Sequence, residues 1–105
     1  MRIAVVDDER PARSELKYLV EQCEPEAEIA EADGSEEFLA MLENETFDVC
    51  FVDINLGGMN GTTLASMIKR KQPLCLISFR RSPASFLYHT LSHLSTLYRV
   101  DSLLF

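Results

Sequence analysis

Two short apolar runs end abruptly in acid. Ile3-Ala4-Val5-Val6 runs into Asp7-Asp8-Glu9, and Val49-Cys50-Phe51-Val52 runs into Asp53. A run that is apolar at every position, rather than at every second one, suits a strand buried on both faces, as in parallel sheets covered by helices. Helical spacings fill the intervals. After Pro11, which a first helical turn tolerates, Ala12, Leu16, Leu19, Val20 and Cys23 fall on one face, and Pro25 stops the pattern. Ala27 to Ala32 predicts a weak strand. Asp33-Gly34-Ser35-Glu36 reads as a turn in which Asp33 and Glu36 form a capping box, with Phe38, Leu39 and Leu42 on the inner face of the helix that follows. Residues 54–61 are a glycine-rich loop. Thr62 or Thr63 opens a third helix with Leu64, Ala65 and Ile68 inward, and Lys69-Arg70-Lys71 close it where cations favour the helix dipole. After Gln72-Pro73, Leu74 to Ile77 predicts a strand and Phe79 to Ser85 a loop. Leu87, Leu91, Leu94 and Tyr98 have helical spacing, and Val100 to Phe105 reads as a last strand. This β-α alternation predicts a five-stranded parallel sheet with right-handed crossovers and helices on both faces.

The 105 residues, 47% of them hydrophobic, suffice for one domain and not for two. No apolar run approaches the roughly 20 residues that cross a bilayer. The N-terminal apolar stretch ends too soon in acids for a signal peptide, so the expectation is a cytoplasmic protein without a membrane partner. Cys23, Cys50 and Cys75 are odd in number, widely spaced and set among apolar neighbours, which predicts small buried hydrophobes rather than a redox or zinc site. The net charge of −7 argues against direct nucleic-acid binding. Residues 1–71 hold 16 of the 17 acidic and 7 of the 10 basic side chains, six of nine serines lie beyond residue 71, and no glycine follows Gly61. The chain changes character near Pro73.

In an open parallel α/β sheet, ligands sit outside the carboxyl ends of the strands. If the two acid-ended strands are neighbours, Asp7, Asp8 and Asp53 converge at one sheet edge. Carboxylates about 4 Å apart repel by about 4 kcal/mol at an effective dielectric near 20, so such a cluster needs a divalent cation, a shared proton or separation. Oxygen-only ligands with room for water suit Mg²⁺. A carboxylate beside Mg²⁺ can attack phosphorus and become an acyl phosphate. Taken singly, each acid is more simply a loop solvator or a helix cap; their joint placement at two strand ends points to a site.

The segments Ile3-Ala4-Val5-Val6-Asp7-Asp8-Glu9-Arg10-Pro11-Ala12-Arg13 and Phe51-Val52-Asp53-Ile54-Asn55-Leu56-Gly57-Gly58-Met59-Asn60-Gly61 resemble the receiver domains of bacterial two-component response regulators, most closely those with a LytTR effector. The resemblance covers roughly residues 1–78 and leaves residues 79–105 divergent. It implies a single receiver domain over 1–105, without an effector domain, of flavodoxin-like (CheY-like), doubly wound fold. Asp53 would accept a phosphoryl group from a sensor histidine kinase. Asp7 and Asp8 would hold Mg²⁺ together with Asp53, and Asn55 would add its backbone carbonyl. Gly61 would supply the turn before the third helix, and Ser78 would contact a phosphoryl oxygen. The implied role is signalling through protein contacts rather than turnover.

The family's lysine at the end of the fifth strand is replaced by Phe105, no Lys follows Lys71, and the last helix is missing. An apolar sheet face left bare in this way favours pairing with a second copy. A divergent or truncated receiver end and an altered reading frame both account for residues 79–105. The competing function is a degenerate receiver that works only as an interaction or dimerisation module. A phosphohydrolase ranks lower, because Asn55 stands where a general acid would be needed. His89 and His93, four apart but with no acid nearby, read as a solvated helix face, and Arg80-Arg81 as a solvated loop.

Overall fold

Ile3 to Val6 and Val49 to Val52 pair directly, in parallel and residue for residue. The computed structural model describes residues 1–54, 56 and 59–80. The elements are β1 (Arg2–Val6), α1 (Arg10–Cys23), β2 (Glu28–Ala32), α2 (Ser35–Met41), β3 (Val49–Asp53), α3 (Gly61–Lys71) and β4 (Leu76–Arg80). The four described strands form one parallel sheet in the order β2-β1-β3-β4. The predicted helix over Leu87 to Tyr98 and the strand over Val100 to Phe105 lie outside the described residues. So do the five-strand count, the missing last helix, Asn55, Arg81, and the His89 and His93 pair.

The continuous apolar runs are explained by helices on both sides. Ile3, Val5, Val49 and Phe51 pack on one face with Leu16 and Val20 of α1. Ala4, Val6, Cys50 and Val52 face the other way, onto Phe38 of α2, Leu42 just after it, and Leu64 and Ile68 of α3. One helix on one side and two on the other is what right-handed crossovers give when the chain steps from β1 out to β2 and then back past β1 to β3. Pro11 sits in the first turn of α1, as expected.

Three local expectations are corrected. The capping box of Asp33 and Glu36 does not form: Gly34 is the N-cap, without a side-chain cap, and Glu37 instead accepts from the Asp33 N–H at 3.2 Å. Helix α3 starts at Gly61 rather than at Thr62 or Thr63, because the Asn60 side chain caps it, accepting from the Thr62 N–H at 2.8 Å. Strand β4 spans Leu76–Arg80 rather than Leu74 to Ile77. A turn closed by the Cys75 N–H on the Gln72 carbonyl consumes Pro73 and Leu74, and pairing begins with Leu76 on the Asp48 carbonyl. Leu74 is left 95% exposed.

All three cysteines are free thiols. Cys50 and Cys75 are buried with their sulfurs 3.3 Å apart. The hydrogen bond with Cys75, and then burial, push the Cys50 thiol well above its ordinary range, so it stays protonated.

Helix α1 offers a controlled comparison. Leu16 is 1% exposed and Tyr18, two residues on, is 60% exposed. Leu16→Ala is expected to cost about 2–5 kcal/mol of unfolding free energy, and Tyr18→Ala less than about 0.5 kcal/mol. Urea denaturation of the two variants beside the wild type checks this.

Candidate metal and phosphoacceptor site

The strand order reverses between β1 and β3, so their carboxyl ends flank the crevice in which open α/β sheets bind ligands. Asp53 is the last residue of β3, and Asp7 and Asp8 directly follow β1. One carboxylate oxygen from each lies within 4.8 Å of the others, with Asp7 buried, Asp53 half-buried and Asp8 exposed. The convergence expected from the sequence is therefore present.

Local structure fixes each member. The Asp7 N–H donates to the Ala32 carbonyl of β2 at 3.1 Å, extending the β1–β2 ladder by one bond. Asp7 Oδ1 accepts from the Glu9 N–H at 2.9 Å, and the Asp7 carbonyl accepts from Arg13 Nη1 at 2.8 Å. On the β3 side, a Cβ placed on Gly61 would lie 2.5 Å from the Asp53 carbonyl oxygen and 2.8 Å from the Ile54 Cα. The Gly61 N–H also donates to the Ile54 carbonyl at 3.0 Å. Gly61 is therefore required by the close approach of α3 to the end of β3. The sequence suggested a turn glycine there and did not reveal what it touches.

Three carboxylates at this spacing repel pairwise by about 3 kcal/mol at an effective dielectric near 20. The donor set is all oxygen, and the exposed Asp8 stands at the rim, where water could complete the shell of a bound ion. This fits a hard divalent cation of the Mg²⁺ kind. Asn55, expected to add a carbonyl, lies outside the described residues.

Ser78 does not sit where the sequence reading put it. The later start of β4 places it inside the strand, level with Phe51, and the residue level with Asp53 is Arg80. Two residues of parallel strand, roughly 6–7 Å, separate the level of Ser78 from that of Asp53.

The family model of the response regulator receiver domain matches residues 3–85. Among curated proteins, the sensory transduction protein LytR of Staphylococcus haemolyticus is 46% identical over 74 residues, covering 70% of this chain and 29% of that protein. The sensory transduction protein LytT of Bacillus subtilis is 36% identical over 78 residues, covering 73% and 32%. Among solved structures, a CheY-like receiver domain protein of Methanospirillum hungatei superposes with a TM-score of 0.67 at 26% identity, over 90% of this chain and 74% of that one. A receiver domain protein of Clostridium thermocellum, at 19% identity, shares the fold with a TM-score of 0.70 over 94% and 97%. The chain belongs to the response regulator receiver domain family. Its fold is the CheY-like receiver fold, and its relatives include LytR and LytT regulators of two-component signalling. The chain spans about a third of the length of those relatives.

Gly61→Ala is expected to destabilise the domain by about 1–3 kcal/mol, since backbone rather than a flexible side chain must give way. Chemical denaturation checks this, and an unchanged midpoint would contradict the close approach.

Proposed function

We propose that this chain is a phosphoacceptor domain in which Asp53 takes a phosphoryl group from the phosphohistidine of a sensor histidine kinase or from a small acyl phosphate. The observation that carries the reading is the meeting of Asp7, Asp8 and Asp53 at the sheet's switch point, within 4.8 Å. A carboxylate oxygen of Asp53 attacks phosphorus and forms an O–P bond. The donor's N–P or O–P bond breaks, and the electron pair leaves with the donor atom, which then takes up a proton. Mg²⁺ would neutralise charge on the attacking and phosphoryl oxygens. Asp7, Asp8 and Asp53 would hold it through carboxylate oxygens, and Asn55 through its backbone carbonyl.

Asp53 suits the nucleophile's role because it is half-buried and open to an incoming donor, whereas Asp7 is closed in. Ser78 stays in the proposal as the hydroxyl of β4 for a phosphoryl oxygen, two residues below the level of Asp53.

The covalent product is a modified signalling domain rather than a released product, and its output is a changed protein-contact surface. The kinase, cytoplasmic residence and pairing with a second copy belong to the same reading. The net charge of −7 supports the view that this chain does not itself bind nucleic acid. Among the described residues, no helix is long and apolar enough to cross a membrane.

Incubation with acetyl phosphate and Mg²⁺, followed by intact-mass spectrometry, is expected to add one phosphoryl group to the wild type and none to Asp53→Ala. A wild type that gains nothing, with its fold confirmed by a cooperative melt, would favour an interaction-only module.

A further inference from the structure

We propose that Arg13 is a positioning residue for cation binding: by gripping the Asp7 carbonyl from α1, it holds the β1–α1 turn so that Asp7 and Asp8 can share one ion with Asp53. The inference rests on the proposed reading that this cluster binds a hard divalent cation.

Strand β1 ends at Val6, whose register partner is Ala32, so Asp7 is the first residue that strand pairing does not itself place. Two of the bonds that hold its backbone lead to β2. The Asp7 N–H donates to the Ala32 carbonyl. The Asp7 carbonyl accepts from Arg13 Nη1 at 2.8 Å, and Arg13 Nε in turn meets Glu31 Oε1 at 3.3 Å. Glu31 is steadied from its other oxygen by Lys17 Nζ at 3.4 Å. The Arg13 guanidinium thus reaches back from α1 over the helix's first turn and bridges the residue after β1 to the strand beside it. Its side chain is only 15% exposed, so water competes little for its donors. Bridging the Asp7 carbonyl and Glu31 requires a fork with donors in two directions, which a lysine ammonium on a flexible stem does not supply in fixed geometry.

A positioning role and a purely electrostatic one differ in sign. As a bare positive charge near three carboxylates, Arg13 competes with a cation, and its removal would tighten cation binding. As the clamp on Asp7, its removal loosens the ligands and weakens binding. Partners that orient metal ligands from behind are typically worth about 10- to 100-fold in metal affinity.

The test is a titration of the full chain with MgCl₂, followed by amide NMR shifts, for the wild type, Arg13→Gln and Arg13→Lys. Each is measured well below its own metal-free melting midpoint. Both variants are expected to weaken binding by about tenfold or more, including Arg13→Lys, which keeps the charge. Arg13→Lys binding as tightly as the wild type, or Arg13→Gln binding more tightly, would overturn the positioning role while leaving the metal reading intact. A folded wild type without saturable Mg²⁺ binding would overturn the metal reading and this inference with it.

Discussion

Parallel pairing of β1 with β3 is the constraint on which the site depends. It sets two strands that both run out into acid side by side, at the place where the chain's winding direction reverses. Like charges do not gather there by their own attraction. They are brought together by the burial of Ile3, Val5, Val49 and Phe51 on one face and of Ala4, Val6, Cys50 and Val52 on the other. A register slip of one residue in either strand would turn its buried set over to the opposite layer, so the same packing that builds the core fixes the spacing of the carboxylates. The hydrophobic core thereby holds three carboxylates at a spacing where like charges repel, an arrangement that the proposed cation would relieve.

The backbone around the acids is correspondingly well tied. Asp7 is bonded through its N–H, its carbonyl and its carboxylate. The Asp53 carbonyl is overlain by Gly61 so closely that no side chain fits between. Strand ends in many sheets fray into solvent; here two of them are locked by neighbours on α1, β2 and α3. Such preorganisation is what a small site requires if ligands are to stay in place while charge is moved among their oxygens.

Much of this was legible in the amino-acid sequence. Continuous apolar runs with acid at their ends identified β1, β3 and the trio, because full burial on both faces leaves no alternation to misread. Helix α1 was marked by Pro11, by the spacing of Leu16 and Val20, and by Pro25. What escaped was decided by local hydrogen bonding. The start of α3 depended on the Asn60 side chain choosing the Thr62 N–H, and the Asp33 and Glu36 capping box was displaced by Glu37 reaching back to Asp33. The start of β4 was lost because Leu74 and Cys75 look as strand-like as Leu76, whereas a turn on Gln72 pushes Leu74 into solvent. That two-residue displacement put Ser78 inside β4, level with Phe51, rather than just past a strand end, whereas the acids that follow β1 and close β3 do converge. Arg13 appeared in the sequence only as part of a motif, since its bridge to Glu31 and the Asp7 carbonyl joins residues that no periodicity connects.

The central claim is that three carboxylates are forced together and relieved by a hard cation. It is tested most directly by the thermal midpoint of wild type and Asp53→Asn, each measured in metal-free buffer and in excess MgCl₂. Removing one of the crowded charges is expected to raise the metal-free midpoint above that of the wild type, and Mg²⁺ is expected to raise the wild type while moving the variant little. A variant that melts lower than the wild type without metal, together with a wild type indifferent to Mg²⁺, would contradict the account.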